Sequence, residues 1–348
     1  MTGKPETNEP VVALDEGANG LGSLRPRRSG IRLPEELGVL AALLLLVLVV
    51  GTHNSAFAQP QNLLNLVASN SFFGMIALAS VFLLALGEID LSVGWNFNFS
   101  AVIAALAMTH GVDPWLGALL GVLFGASLGL VNGLLTTGLR LPVIIVTLGT
   151  FSMFHGLSLV FSKSSAVVPP DVEGSFFTTV QSRIGTVPVL AIVFVVLALV
   201  LQVVLTRTRF GFRVQAIGSN PEAARLAGIP LARTRILALV LVGAVCGLSG
   251  VLSVGQFGAI DTNSGSEFLL TVVAAVIIGG TPLSGGSGTV IGAFFGALII
   301  ATIASGIVFF GIDATWSTFV TGAVIVVAVA VDQGVKWQRR WRAERRLE

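Results

Sequence analysis

Ser219-Asn220-Pro221-Glu222-Ala223-Ala224-Arg225-Leu226-Ala227-Gly228 stands in the middle of a polar stretch, Arg207–Arg235, between two long apolar runs. The stretch holds six of the chain's twenty lysines and arginines. Its centre reads as one short helix with both ends marked. Ser219 and Glu222 have the S-x-x-E spacing of a capping box; alternatively Asn220 is the N-cap and Pro221 the first helical residue. Gly228 supplies a left-handed stop, and Pro230 prevents continuation. So short a helix is marginal by itself, so it implies a surface to pack against.

The rest of the chain says where that surface lies. Of 348 residues, 54% are hydrophobic and 11% charged, with a mean hydropathy of +0.90. Soluble domains carry about 25% charged residues, so the composition implies an integral membrane protein. Apolar runs of near-bilayer length recur along the chain, and such runs cross lipid as helices because every backbone amide must be paired internally. Ten spans are expected: Leu37–Phe57, Leu63–Leu86, Val93–Met108, Trp115–Thr137, Val143–Phe161, Val187–Leu205, Ile236–Phe257, Phe268–Ile278, Val290–Phe310 and Trp316–Val331. Asp113-Pro114 and Pro188 supply start signals for the fourth and sixth. The eighth has only eleven uninterrupted apolar residues, too few to cross alone at about 1.5 Å per residue. Arg25, Arg27, Arg28 and Arg32 before the first run, with Ser55-Ala56-Phe57-Ala58 after it, resemble a signal peptide; the run is read as a retained first span.

Charge fixes the orientation. With the N-terminus inside, inner segments hold five basic residues up to Arg32, then Arg140, then six in Arg207–Arg235, then six from Lys336 to Arg346. Eighteen of twenty are thus on one side, leaving Lys163 and Arg183 outside. Positive residues stay cytoplasmic, so both termini and the Arg207–Arg235 loop are expected there. The predicted fold is an all-α, polytopic membrane bundle. It divides into a flexible cytoplasmic tail over 1–34, a transmembrane domain over 35–332 and a basic cytoplasmic tail over 333–348.

Polar groups inside such a chain are the candidates for function. Glu88 and Asp90 interrupt apolar sequence, and a carboxylate at the bilayer centre costs about 2.5–3.5 kcal/mol. They belong at the inner face or in a broken helix; Asp90 or Ser92 can also cap the next helix. Trp95-Asn96-Phe97-Asn98-Phe99-Ser100 alternates rings with amides, which suits a hydroxylated, uncharged solute, although alternate residues do not share a helix face. Asn65, Asn70, Asn132 and Gln256 read as interhelical hydrogen-bonding groups. Phe268–Ile278 followed by Gly279-Gly280-Thr281-Pro282-Leu283-Ser284-Gly285-Gly286-Ser287-Gly288 looks like a discontinuous transporter helix. Asp90, Trp95, Asn96, Phe97, Asn98, Gly279, Gly280 and Thr281 are therefore the expected borders of a translocation path. Gly121, Gly125 and Gly129, like Gly292 and Gly296, form ridges for close helix packing.

Catalytic readings find little support. Gly247-Leu248-Ser249-Gly250 has the G-x-S-G form of intramembrane serine proteases, which need a histidine base in reach on another helix and place it after the serine, but all three histidines precede Ser249. Cys246, the only cysteine, reads as a buried structural thiol. The glycines from Gly286 to Gly292 lack dinucleotide spacing, and no G-x-x-x-x-G-K-[ST] occurs. No catalytic residue, metal or cofactor is expected in this chain.

Three motifs occur in a specific order: E-I-D-L-S-V-G within Gly87–Gly94, A-I-G-S-N-P-E-A-A-R-L-A-G-I at 216–229, and A-A-V-I-I-G-G-T-P-L-S-G-G-S-G-T at 274–289. Together they resemble the membrane permeases of ribose-type ABC sugar importers, over about Asn62 to Asp332. The resemblance implies a permease in the bacterial plasma membrane, paired with a second copy of itself. It implies ATP-hydrolysing subunits in the cytoplasm and a periplasmic or extracellular sugar-binding protein, with no nucleic acid involved. Ser219, Asn220, Pro221, Glu222, Ala223, Ala224, Arg225 and Gly228 then form the helix that docks on the ATPase. Trp95–Phe99 and Glu88 depart from the smaller residues usual in the family, which bears on which sugar is carried. Other cargoes (nucleosides, polyols, branched-chain amino acids) fit the same class. An ion-coupled transporter using Glu88 or Asp90 is the other reading.

Overall fold

In lipid an unpaired amide has no water to turn to, and this chain answers with helices almost throughout. The computed structural model describes residues 35–330, apart from 171, 314, 317, 321, 325, 328 and 329. The tails expected over 1–34 and 333–348 lie outside the described residues.

Helix α1 is Glu35–His53, α2 Pro60–Ser69, α3 Ser71–Ala85, α4 Val93–Thr109, α5 Pro114–Gly138 and α6 Val143–Ser162. A short α7, Ser175–Gln181, precedes a two-stranded hairpin, β1 Arg183–Ile184 with β2 Val187–Pro188. Then follow α8 Val189–Arg207, α9 Arg209–Ser219, α10 Pro221–Leu226, α11 Leu231–Phe257, α12 Phe268–Ile278 and α13 Val290–Phe309. The all-α expectation holds; the hairpin is too short to form a layer.

Six of these helices are long and apolar enough to cross a membrane, and α2 with α3 makes a seventh if the bent pair is one span. The bend of 58° at Asn70 corrects the expected continuous span Leu63–Leu86. Its cause is local: Asn70 Nδ2 donates to the Leu66 carbonyl oxygen at 2.8 Å, and Ser71 Oγ to that of Ala68 at 2.7 Å. Side chains that bond back to the preceding turn compete with the helix ladder. Helix α12 is a shorter apolar helix, as the eleven-residue eighth run anticipated, and so is α4, which was expected as a full span. The tenth expected span, Trp316–Val331, falls partly outside the described residues.

Helix α3 is the hub, with every residue from Ser71 to Ala85 buried. It has no polar face because helices α8, α11, α12 and α13 surround it. The longest contact is between α5 and α11, and glycine makes it possible. A Cβ at Gly125 would sit 2.5 Å from the Gly243 carbonyl oxygen and 2.8 Å from the Gly247 Cα. Gly292 and Gly296 likewise face Gly279 and Ala275 of α12. Both glycine ridges therefore bring backbones together, as read from the sequence. Asp113 caps α5 through the amides of Trp115 and Leu116 at 3.0 and 3.2 Å. On the outside, α5, α6 and α8 expose Leu116, Leu123, Leu148, Val160, Val196 and Leu199. Apolar outer faces of this extent suit lipid rather than water.

Candidate functional site

The linker between α3 and α4 is built as a polar knot. Asp90 Oδ1 accepts from the Ser92 amide at 2.7 Å and from Ser92 Oγ at 2.6 Å. Ser92 Oγ accepts in turn from Asn132 Nδ2 of α5 at 2.9 Å, and Thr147 Oγ1 of α6 takes the Leu91 amide at 3.1 Å. Asp90 thus orders the turn before α4 rather than binding that helix's own first amides. Glu88 reaches the other way and pairs with Arg235 of α11. Burial raises the carboxyls of Glu88 and Asp90 above the ordinary carboxylate range, opposed by Arg235 at Glu88 and by the Ser92 bonds at Asp90.

Helix α4 divides its alternating residues between faces. Asn96 Nδ2 donates to the Gly125 carbonyl oxygen at 3.2 Å, and its Oδ1 accepts from Ser100. Asn98 Nδ2 donates to the Asp261 carbonyl oxygen at 2.8 Å, and its Oδ1 accepts from Ser158. Trp95 stacks on His155 with ring centroids 3.7 Å apart, within a cluster that includes Phe99, Leu128 and Phe154. All of Trp95–Ser100 are buried, and Phe97 packs against Phe268 at 4.8 Å.

Phe97 there lines a cavity of about 380 Å³ with Phe72, Phe257, Phe268, Ser253, Ser264 and Asp261. Four rings with a few hydroxyl and carboxylate groups are the usual makeup of a small-molecule site. The cavity lies under two loops joined by a backbone bridge between Val167 and Ile260. Ser249, the candidate nucleophile, donates to the Phe72 carbonyl oxygen at 2.8 Å and is buried. It serves the α3–α11 packing. Cys246 is free and buried beside it.

At the opposite end of α3 lies the segment 207–235. Thr208 Oγ1 accepts from the Gly211 amide and starts α9, a helix the sequence reading did not separate. Asn220 is the N-cap of α10: its Oδ1 accepts from the Ala223 amide at 2.9 Å, with Pro221 at the first helical position. The capping-box alternative fails because Ser219 Oγ donates elsewhere, to the Gly286 carbonyl oxygen at 3.1 Å. Gly228 follows α10 at φ +77° and stops it. Ser219, Asn220, Pro221, Glu222, Ala223, Arg225 and Gly228 are exposed and Ala224 alone is buried. Leu226 is 81% exposed and Phe212 of α9 is 70% exposed.

The break after α12 brings Gly279 against Gly292 and Ala293 of α13, while Gly280 is exposed at φ +91°. Thr281 is fully buried, and its Oγ1 has no hydrogen-bond partner among the described residues. The expected path residues are therefore not one constellation: Phe97 lines the cavity, Asp90, Asn96 and Asn98 hold helices, and Gly279–Thr281 form the break. Phe72, Phe257, Phe268 and the Asp261 loop were missed. Lone aromatics at span ends carry no sign of facing one another.

An all-α bundle with apolar outer faces, an aromatic cavity at one end and an exposed capped helix at the other is a multi-pass membrane protein. Residues 62–329 match the family described as branched-chain amino acid transport system / permease component, and the chain belongs to it. It is 35% identical over 299 residues to the ribose import permease protein of Bacillus subtilis, covering 86% of this chain and 93% of that one. Identity is 33% over 319 residues to the L-arabinose ABC transporter permease protein of Azospirillum brasilense, with 90% and 92% covered. For the D-allose transport system permease protein of Escherichia coli it is 32% over 302 residues, with 86% and 92% covered. The chain is thus a permease component of an ABC importer.

Proposed function

We propose that this chain is the permease of a bacterial plasma-membrane importer for a monosaccharide, driven by separate ATPase subunits and supplied by an external sugar-binding protein. Two copies form the working unit, each with ten spans and both termini in the cytoplasm, as the placement of eighteen of twenty basic residues favours. The observation that carries the reading is α10. A helix of six residues, capped by Asn220, anchored by Ala224 and presenting Leu226 to solvent, has a structure suited to contact. ATP binding elsewhere moves that contact, and the bundle alternates between states open to either side.

The cargo follows from the cavity and the relatives. Rings from Phe72, Phe97, Phe257 and Phe268 suit the apolar faces of a sugar, and Ser253, Ser264 and Asp261 suit its hydroxyls. The relatives named above import ribose, arabinose and allose. The family description favours a second reading, a branched-chain amino acid. That cargo carries two charges, and among the described residues no cation lines the cavity to receive its carboxylate. Uptake of a labelled pentose, competed by excess unlabelled pentose, hexose or leucine, decides between them. Pentose uptake that sugars but not leucine suppress supports the proposal; uptake of labelled leucine with none of labelled pentose sinks it.

A further inference from the structure

Two of the points that fasten the segment 207–235 lead to one corner of the fold. Near the end of α9, a Cβ on Gly218 would collide with the carbonyl oxygen of Ala85, the last residue of α3. The same oxygen accepts from the Gly286 amide at 2.9 Å, while the Gly286 carbonyl oxygen accepts from Ser219 Oγ at 3.1 Å. Gly285 and Gly286 hold φ of +75° and +88°, a region closed to most side chains. A Cβ on Gly285 would also stand 2.7 Å from the Gly87 nitrogen. At its exit, Arg235 donates to Glu88. The four residues Ala85–Glu88 therefore meet the end of α9, the break after α12 and the start of α11.

We propose that the corner Ala85–Glu88 is the joint that carries displacement of α10 into the broken segment after α12, with Glu88 and Arg235 as its positioning pair. The inference rests on the reading of α10 as the helix that contacts an ATPase. Its physical basis is the absence of slack. Backbone meets backbone at Gly218 and Gly285, so no flexible side chain is there to absorb a shift. On the other side the connection is a part-buried ion pair, where removing one partner leaves the other's charge without its counter-ion. Helix α10 itself buries one residue, Ala224, so a push on it passes into its flanking segments, which these two anchors tie to the corner. Glu88 and Arg235 are 147 positions apart in the chain and touch no cavity-lining residue of the opposite end.

The test uses the complex purified from its own membrane through a tag on this chain and reconstituted in vesicles. Solute uptake and ATP hydrolysis are both measured for the unsubstituted chain, Glu88→Gln, Arg235→Lys, Gly286→Ala and the exchanged pair Glu88→Arg/Arg235→Glu. Glu88→Gln and Gly286→Ala are expected to keep the ATPase subunits and to hydrolyse ATP, while solute carried per ATP falls about tenfold, within the ordinary range of coupling energies. Arg235→Lys, which keeps the charge, retains most of the ratio, and the exchanged pair recovers it in part. An unchanged ratio in Glu88→Gln and Gly286→Ala overturns the joint. So does a loss of uptake that is matched by loss of the bound ATPase, because the corner would then merely hold the fold. If the unsubstituted chain retains no ATPase subunit, the reading of α10 falls first and the joint falls with it.

Discussion

Asn98 Nδ2 donates to the Asp261 carbonyl oxygen at 2.8 Å, joining positions 163 residues apart in the chain. The bond ties the middle of α4 to the loop over the cavity, and Ser158 of α6 completes the tie from the other side. Position and loop shape at the mouth thus depend on one buried amide. Asn98→Ala leaves both partners unsatisfied in the bundle interior. A loss of about 1–2 kcal/mol is expected, in line with hydrogen bonds between membrane helices. Thermal unfolding in detergent measures it, with Asn98→Gln as the control that keeps the amide but not the reach.

The cavity makes a prediction of a different kind. Phe268 faces Phe97 and borders the space that the proposed sugar enters. Phe268→Ala removes an aromatic face from the cavity and should raise the apparent KM for uptake about tenfold, the effect of roughly 1.4 kcal/mol of binding. ATPase association is expected to stay intact, because the residue lies at the end of the bundle remote from α10. A variant that transports with unchanged KM would remove Phe268 from the site.

Backbone approach between α5 and α11 allows a stability prediction. Gly125→Ala places a methyl 2.5 Å from the Gly243 carbonyl oxygen, with no side chain in between to yield. The helices must part, at a cost of about 1–3 kcal/mol by analogy with overpacked cores. Gly138→Ala, where the structure leaves open space, should be neutral in the same unfolding assay.

The parts of this fold legible in the sequence were those set by solvent. Lipid demands runs of apolar residues, so α5, α6, α8, α11 and α13 stand close to where hydropathy put them. The cap at Asp113 and the glycine ridges were legible too, since each needs only residue type and spacing. What stayed hidden depends on partners distant in sequence. Asn70 reads as an interhelical donor, whereas its amide bonds the Leu66 carbonyl oxygen one turn back. Asn96 and Asn98 look like solute ligands until Gly125, Ser158 and Asp261 are placed beside them. Glu88 and Arg235 were both visible as charges near apolar runs, yet nothing in either segment announced the other. Ser219 was legible as a cap candidate, and its bond to Gly286 was not.

Asn220 separates α9 from α10 and supplies the cap, so its substitution isolates the helix from its anchors. Asn220→Ala loses the bond to the Ala223 amide, worth about 1 kcal/mol. Asn220→Asp preserves it. Uptake in the first variant should fall severalfold with transport in the second close to normal, read in the same vesicles at equal protein content.

The central claim is that Ser219–Gly228 works by contact with a separate ATPase. The double substitution Glu222→Pro/Ala224→Pro tests it most directly, because proline at 224 removes the amide that donates to the Asn220 carbonyl oxygen at 3.0 Å. The measurement is ATPase subunit retained per tagged permease, taken together with sugar uptake, in membranes matched for inserted protein. The account predicts normal insertion, loss of most of the bound ATPase and uptake at background. Normal ATPase retention with normal uptake would contradict it.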